Sequence, residues 1–117
     1  MKVKCETLER TSVVIADGRL DFGAAAFQKH IEQAMAGNGT RPAVLIIDCG
    51  ALGYVSSAGL HVLLLAARAA QRAGVGFALC ALQPAVRESF DLSGFSRIMT
   101  VHPDRSSALA PTPSGNA

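Results

Sequence analysis

The stretch from Val44 to Leu60 constrains this chain most. Ala43-Val44-Leu45-Ile46-Ile47 is apolar without alternation, which suits a central strand covered on both faces. It ends in Asp48, and a glycine-containing turn over 49–56 is expected to follow. Ser56-Ser57 then opens a run with Leu60, Leu63, Leu64, Ala67 and Ala70 at helical spacing. Strand, turn and helix in that order imply a parallel sheet with a crossover helix. In such sheets functional groups gather at the carboxyl ends of the strands. Asp48, the turn and Ser57 are expected there together.

The flanking segments extend the pattern. Residues 3–8 and the β-branched Val13-Val14-Ile15-Ala16 read as a hairpin across Arg10-Thr11, broken after Ala16 by Asp17-Gly18. Asp21 is placed to cap a helix whose apolar positions are Ala24, Phe27, Ile31, Ala34 and Met35, and Gly37-Asn38-Gly39 ends it. Past the helix from Ser57 to about Ala73, stopped by Gly74 and Gly76, residues 77–82 form another buried strand. Pro84 opens a further helix with Val86 and Phe90 inward, and Ser93-Gly94 stops it. Residues 98–101 read as a short last strand and 104–110 as a closing helical turn. The order is β-β-α-β-α-β-α-β. The segment 111–117 holds no core-forming residue and reads as a disordered tail, which leaves 1–110 as one domain.

Bulk properties exclude several functions. The chain has 117 residues, half of them hydrophobic, and a net charge of +2. That charge, with no basic run, argues against nucleic acid or an anionic membrane surface as partner. No apolar stretch approaches the roughly 20 residues of a membrane span, and the charged Met1–Glu6 segment lacks a signal core, so a soluble cytoplasmic protein is expected. Cys5, Cys49 and Cys80 are widely spaced and odd in number, which fits reduced, buried thiols rather than a disulfide or metal site. His30 and His102 lack companions for a metal site and read as surface residues. With no Gly-x-x-x-x-Gly-Lys-Ser/Thr or Gly-x-Gly-x-x-Gly, phosphate cradling by a glycine-rich loop is unsupported. Asp48 lacks the acidic pair and late lysine of a receiver domain. Ser57 lacks a Gly-x-Ser-x-Gly elbow, and His61, one turn on, is expected to point outward. No catalytic activity and no cofactor are expected.

Four segments, Gly18-Arg19-Leu20-Asp21, Leu45-Ile46-Ile47-Asp48, Val55-Ser56-Ser57-Ala58-Gly59-Leu60 and Leu92-Ser93-Gly94-Phe95, together resemble the STAS family. Within it the chain is similar to single-domain bacterial anti-anti-sigma factors (anti-sigma factor antagonists), over about residues 3–110. The resemblance implies an α/β fold: a mixed four- to five-stranded sheet with helices packed mainly on one face. It also implies partner switching. The unphosphorylated protein binds an anti-sigma factor that is a serine kinase of the histidine-kinase-like ATPase type, and so frees a sigma factor. Phosphorylation ends the binding, and a PP2C-type phosphatase resets it.

The position matching the family's phosphoacceptor is Ser57. Where the family often has an acid just before the acceptor, this chain has Ser56, which is therefore the alternative acceptor. Physical chemistry favours an anion here, because helix N-termini offer unpaired N–H groups and a favourable dipole. Either serine also suits an N-cap, and Gly59 is expected to let a partner's backbone approach closely. The remaining candidate contacts to the partner are Asp21, Asp48, Gly53, Tyr54, Ala58, His61 and Arg68, with Arg72 extending the outer helix stripe. For each there is a structural alternative: Asp48 accepting N–H bonds from loop 50–54, Asp21 as a cap, Tyr54 as a loop anchor, His61 and Arg68 as a solvated face. Two other functions fit the same resemblance: a cytoplasmic accessory subunit of a membrane transporter, or a nucleotide- or small-ligand-binding module.

Overall fold

The apolar run at the centre of the sequence becomes the middle strand of the sheet. In the computed structural model, which describes residues 2–21, 24–36 and 41–109, five strands and four α-helices follow in order. They are β1 (Lys2–Leu8), β2 (Thr11–Leu20), α1 (Ala24–Ala36), β3 (Val44–Val55), α2 (Ser57–Ala73), β4 (Gly76–Cys80), α3 (Pro84–Ser93), a 3-10 turn (Phe95–Arg97), β5 (Thr100–His102) and α4 (Arg105–Leu109). The sheet order is β1-β2-β3-β4-β5. β1 and β2 form the antiparallel hairpin, and every other pairing is parallel.

Alternation along β3 divides the core. Leu45 and Ile47 join Val14, Leu20, Phe27, Ile31, Leu63 and Phe90 in the main cluster, roofed by α1, α2 and α3. Ile46 points the other way, into a small cluster with Val13 and Cys80 that Ala108 of α4 helps cover. The expected arrangement, with helices mainly on one face, is the arrangement found. Gly74 and Gly94 end α2 and α3 at φ 75° and 80°, a backbone state that glycine adopts without strain.

Three expectations need correction. First, the turn placed at 49–56 is strand: β3 runs on to Val55 because β2 runs on beside it, pairing Arg19 with Tyr54 and Leu20 with Val55. Asp17-Gly18 does not break β2; two register shifts, between Ile15 and Asp17 and between Gly18 and Arg19, absorb the irregularity. β4 pairs with β3 only as far as Asp48–Cys80. Second, the buried seam of α2 is Gly59, Val62, Leu63, Ala66 and Ala70, while Leu60, Leu64 and Ala67 pack at its flank. The bare Gly59 draws the helix onto the sheet and rotates the seam towards itself. Third, Cys5 is exposed, because β1 is the sheet edge; Cys49 and Cys80 are buried as expected. Burial pushes the Cys80 thiol up to about 11 and that of Cys49 higher still.

Strand ends also differ slightly. β4 stops at Cys80, before Ala81 at φ 62°, and the last strand starts two residues later than read, at Thr100. The glycines expected to end α1, and the tail from 111, lie outside the described residues.

Candidate functional site

β2 and β3 outrun the rest of the sheet as a two-stranded ledge, and α2 starts from its tip. The first link is Leu20. Its carbonyl accepts the Ser56 N–H at 2.9 Å and the Ser56 hydroxyl at 3.2 Å. The same hydroxyl oxygen accepts the Gly59 N–H at 3.1 Å. Ser56 is therefore the N-cap, half-buried, with its side chain committed twice. Ser57 is the first helical residue and is exposed, as is Ala58. Of the two adjacent serines, one closes the helix start and the other faces outward at its positive end. No acidic residue occupies the first turn of α2.

Ser56→Ala is therefore expected to lower stability by about 1 kcal/mol, because Gly59 N–H loses its acceptor while Ser57 keeps its position. A urea titration checks this; a stability unchanged from wild type would remove Ser56 as the cap.

Gly59 has a different reason from the one expected. It is buried, and a Cβ there would stand 2.6 Å from the Leu20 carbonyl oxygen, 2.8 Å from Leu20 Cγ and 3.1 Å from Val55 Cγ1. The close backbone approach is to the chain's own β2. Gly59 is buried against β2 rather than open at the surface.

Beside the helix start lies a hollow of about 310 Å³ lined by Arg19, Asp21, Tyr54, Ser56 and Ala58. Tyr54 is 42% exposed and sits on a strand, not on the loop expected. The Arg19 guanidinium lies over its ring, 4.2 Å from the centroid, in cation–π contact. Arg19 Nε also donates to Asp21 Oδ2 at 3.2 Å. In the sequence Asp21 and Tyr54 stand 33 positions apart and nothing local marks Arg19. The period-2 pairing of two parallel strands, which sets Arg19 opposite Tyr54, was hidden because both segments read as turns. Gly53, on the same ledge, is exposed. His61 is exposed one turn along α2 from Ser57, and Arg68 and Arg72 are exposed further on along the same face.

Asp48 does not join this site. It lies seven residues before the end of β3, roughly 23 Å of strand, and points to the α4 face with Ile46. Its Oδ1 accepts the Gly50 N–H at 2.9 Å, the structural task anticipated for it. Its Oδ2 accepts Arg105 Nε at 2.9 Å, and Arg105 also donates to Glu6 at 2.8 Å. This clasp joins the central strand, the edge strand and α4. Neither Arg105 nor Glu6 was legible as its partner, since they lie 57 and 99 positions from the residues they bind.

Among the described residues no group of three or more His, Cys, Asp or Glu could hold a metal, and no helix is long and apolar enough to cross a membrane.

Comparison with known proteins bears on the family and the fold. Residues 2–108 match the STAS domain family. Over 66 residues the chain is 44% identical to "Putative anti-sigma factor antagonist BtrV" of Bordetella bronchiseptica, a match spanning 56% of this chain and 57% of that protein. A crystal structure of an anti-sigma factor antagonist from Mycobacterium paratuberculosis superposes with a TM-score of 0.83 at 28% identity, over 92% of this chain and 90% of that one. The phosphorylated form of the Bacillus cell fate determinant SpoIIAA superposes with a TM-score of 0.69 at 21% identity, over 92% and 96% of the two chains. That last likeness is one of fold.

Proposed function

The chain belongs to the STAS domain family, and from that premise we propose that it is an anti-sigma factor antagonist whose docking is switched at Ser57. The unmodified chain binds an anti-sigma factor that is also a serine kinase, of the histidine-kinase-like ATPase type, and a sigma factor is released. The kinase then uses ATP. Ser57 Oγ attacks the γ-phosphorus, its proton passes to a base on the kinase, and ADP leaves. The phosphorylated chain dissociates until a PP2C-type phosphatase hydrolyses the ester.

The observation that carries this reading is the division of labour between the two serines. Ser56 is occupied by the Leu20 carbonyl and the Gly59 N–H, whereas Ser57 is exposed. A modification at Ser56 would cost the helix its cap; one at Ser57 costs the fold nothing. A phosphate at N1 adds about −2 of charge where the helix dipole favours it. The same dianion cannot be desolvated cheaply at a packed interface. The docking face comprises Ser57, Ala58, Tyr54 and Asp21, with His61 and Arg68 along α2.

The test is a phosphate-affinity gel after incubation with the cognate kinase and ATP. Wild type and Ser56→Ala are expected to shift, and Ser57→Ala to run unshifted. No shift in wild type, or a shift that survives in Ser57→Ala and vanishes in Ser56→Ala, would overturn the assignment.

A further inference from the structure

We propose that Arg19 is the counter-charge for a phosphate on Ser57, and that in taking it up Arg19 leaves the Asp21 carboxylate and the Tyr54 ring. The inference rests on Ser57 as the modified residue, and adds a moving part to that switch.

Placement comes first. Arg19 sits one residue before Leu20, the residue whose carbonyl holds the helix start. The hollow it lines is also lined by Ser56 and Ala58, the neighbours of Ser57 on either side. Arg19 therefore borders the start of α2 from the β2 side. Among the described residues, His61 is exposed one turn along α2 from Ser57, and Asp21 and Tyr54 line the hollow with Arg19.

The present ties of Arg19 are loose. Its Nε meets Asp21 Oδ2 at 3.2 Å, with the arginine side chain 65% exposed and the aspartate 23%. Exposed single-point ion pairs hold weakly and are screened by salt. The guanidinium carbon lies 4.2 Å from the Tyr54 ring centroid, and a cation–π contact of this kind is electrostatic and uses no N–H donor. A phosphate offers about twice the charge of a carboxylate and accepts two parallel N–H bonds from arginine. Competition between a screened ion pair with a cation–π contact and a bidentate dianion favours the dianion.

The consequence reaches beyond blocking by bulk. Once Arg19 turns to the phosphate, Tyr54 loses its cationic cover and Asp21 loses a neutralising partner. One modification would then alter three side chains of the docking face at once.

The experiment needs no kinase. Phosphoserine is installed at position 57 during translation, and the phosphorus chemical shift is followed against pH. A cation in contact lowers the second phosphate pKa. That pKa is expected to rise by about half a unit or more in Arg19→Gln, to recover largely in Arg19→Lys, and to change less in His61→Gln. Emission provides a second readout, because Tyr54 is the only tyrosine and there is no tryptophan. It is expected to differ between phosphorylated and unphosphorylated wild type, and to be indifferent to phosphate in Arg19→Gln.

Equal phosphate pKa values in wild type and Arg19→Gln would overturn the proposal, as would a rise confined to His61→Gln. A failed kinase shift would instead sink the proposed function, with the phosphorus titration still answering for Arg19.

Discussion

Gly59→Ala is expected to destabilise the protein by about 3 kcal/mol. The sign is informative, because alanine in place of glycine inside a helix ordinarily gains roughly 1 kcal/mol. Here the new methyl would meet the Leu20 carbonyl oxygen at 2.6 Å. That oxygen cannot simply retreat, since it accepts both the N–H and the hydroxyl of Ser56. Moving it stretches two hydrogen bonds, each worth about 1 kcal/mol. Moving the helix instead lifts Val62, Leu63 and Ala66 off the core, and overpacking of this kind costs about 1–3 kcal/mol. Urea denaturation at 25 °C should show a lower midpoint with an unchanged slope. A variant as stable as wild type, or more stable, would mean that the α2–β2 contact is slack.

Ser57→Asp should produce the opposite profile, a fold left intact and an interface lost. A carboxylate at N1 of α2 faces the positive helix end and contributes about 0.3–1 kcal/mol of stability. Burying that charge against a partner without a matching cation costs about 3 kcal/mol or more, which corresponds to a loss of affinity of at least about 100-fold. Calorimetric binding to the cognate anti-sigma factor and a thermal melt read the two effects separately. Affinity within threefold of wild type, or a melting temperature several degrees lower, would each contradict the role proposed for this residue.

Much of the scaffold was legible because the signals were local. The run Ala43–Ile47 declared the middle strand, helical spacing declared α1 and α3, and glycine marked the ends of α2 and α3. What escaped depended on a neighbour. The residues from Asp48 to Val55 look like a turn taken alone, with two glycines and an acid; they are strand because β2 lies alongside them. The seam of α2 was read from its leucines, yet packing follows the glycine that lets the helix come close. Ser56 and Ser57 could not be told apart by type or spacing, since both suit a cap. Only the Leu20 carbonyl, 36 positions from Ser56, separates them. Arg19 escapes local reading for the same reason: its meaning comes from Tyr54 opposite.

The Asp48–Arg105–Glu6 clasp and the Ser57 ledge lie on opposite sides of one sheet. Energetic couplings fade beyond about 10 Å for groups that share no contact. Substitutions that tighten or loosen the clasp therefore change how long the molecule survives without changing whom it recognises. Durability and allegiance can drift independently in a chain this small.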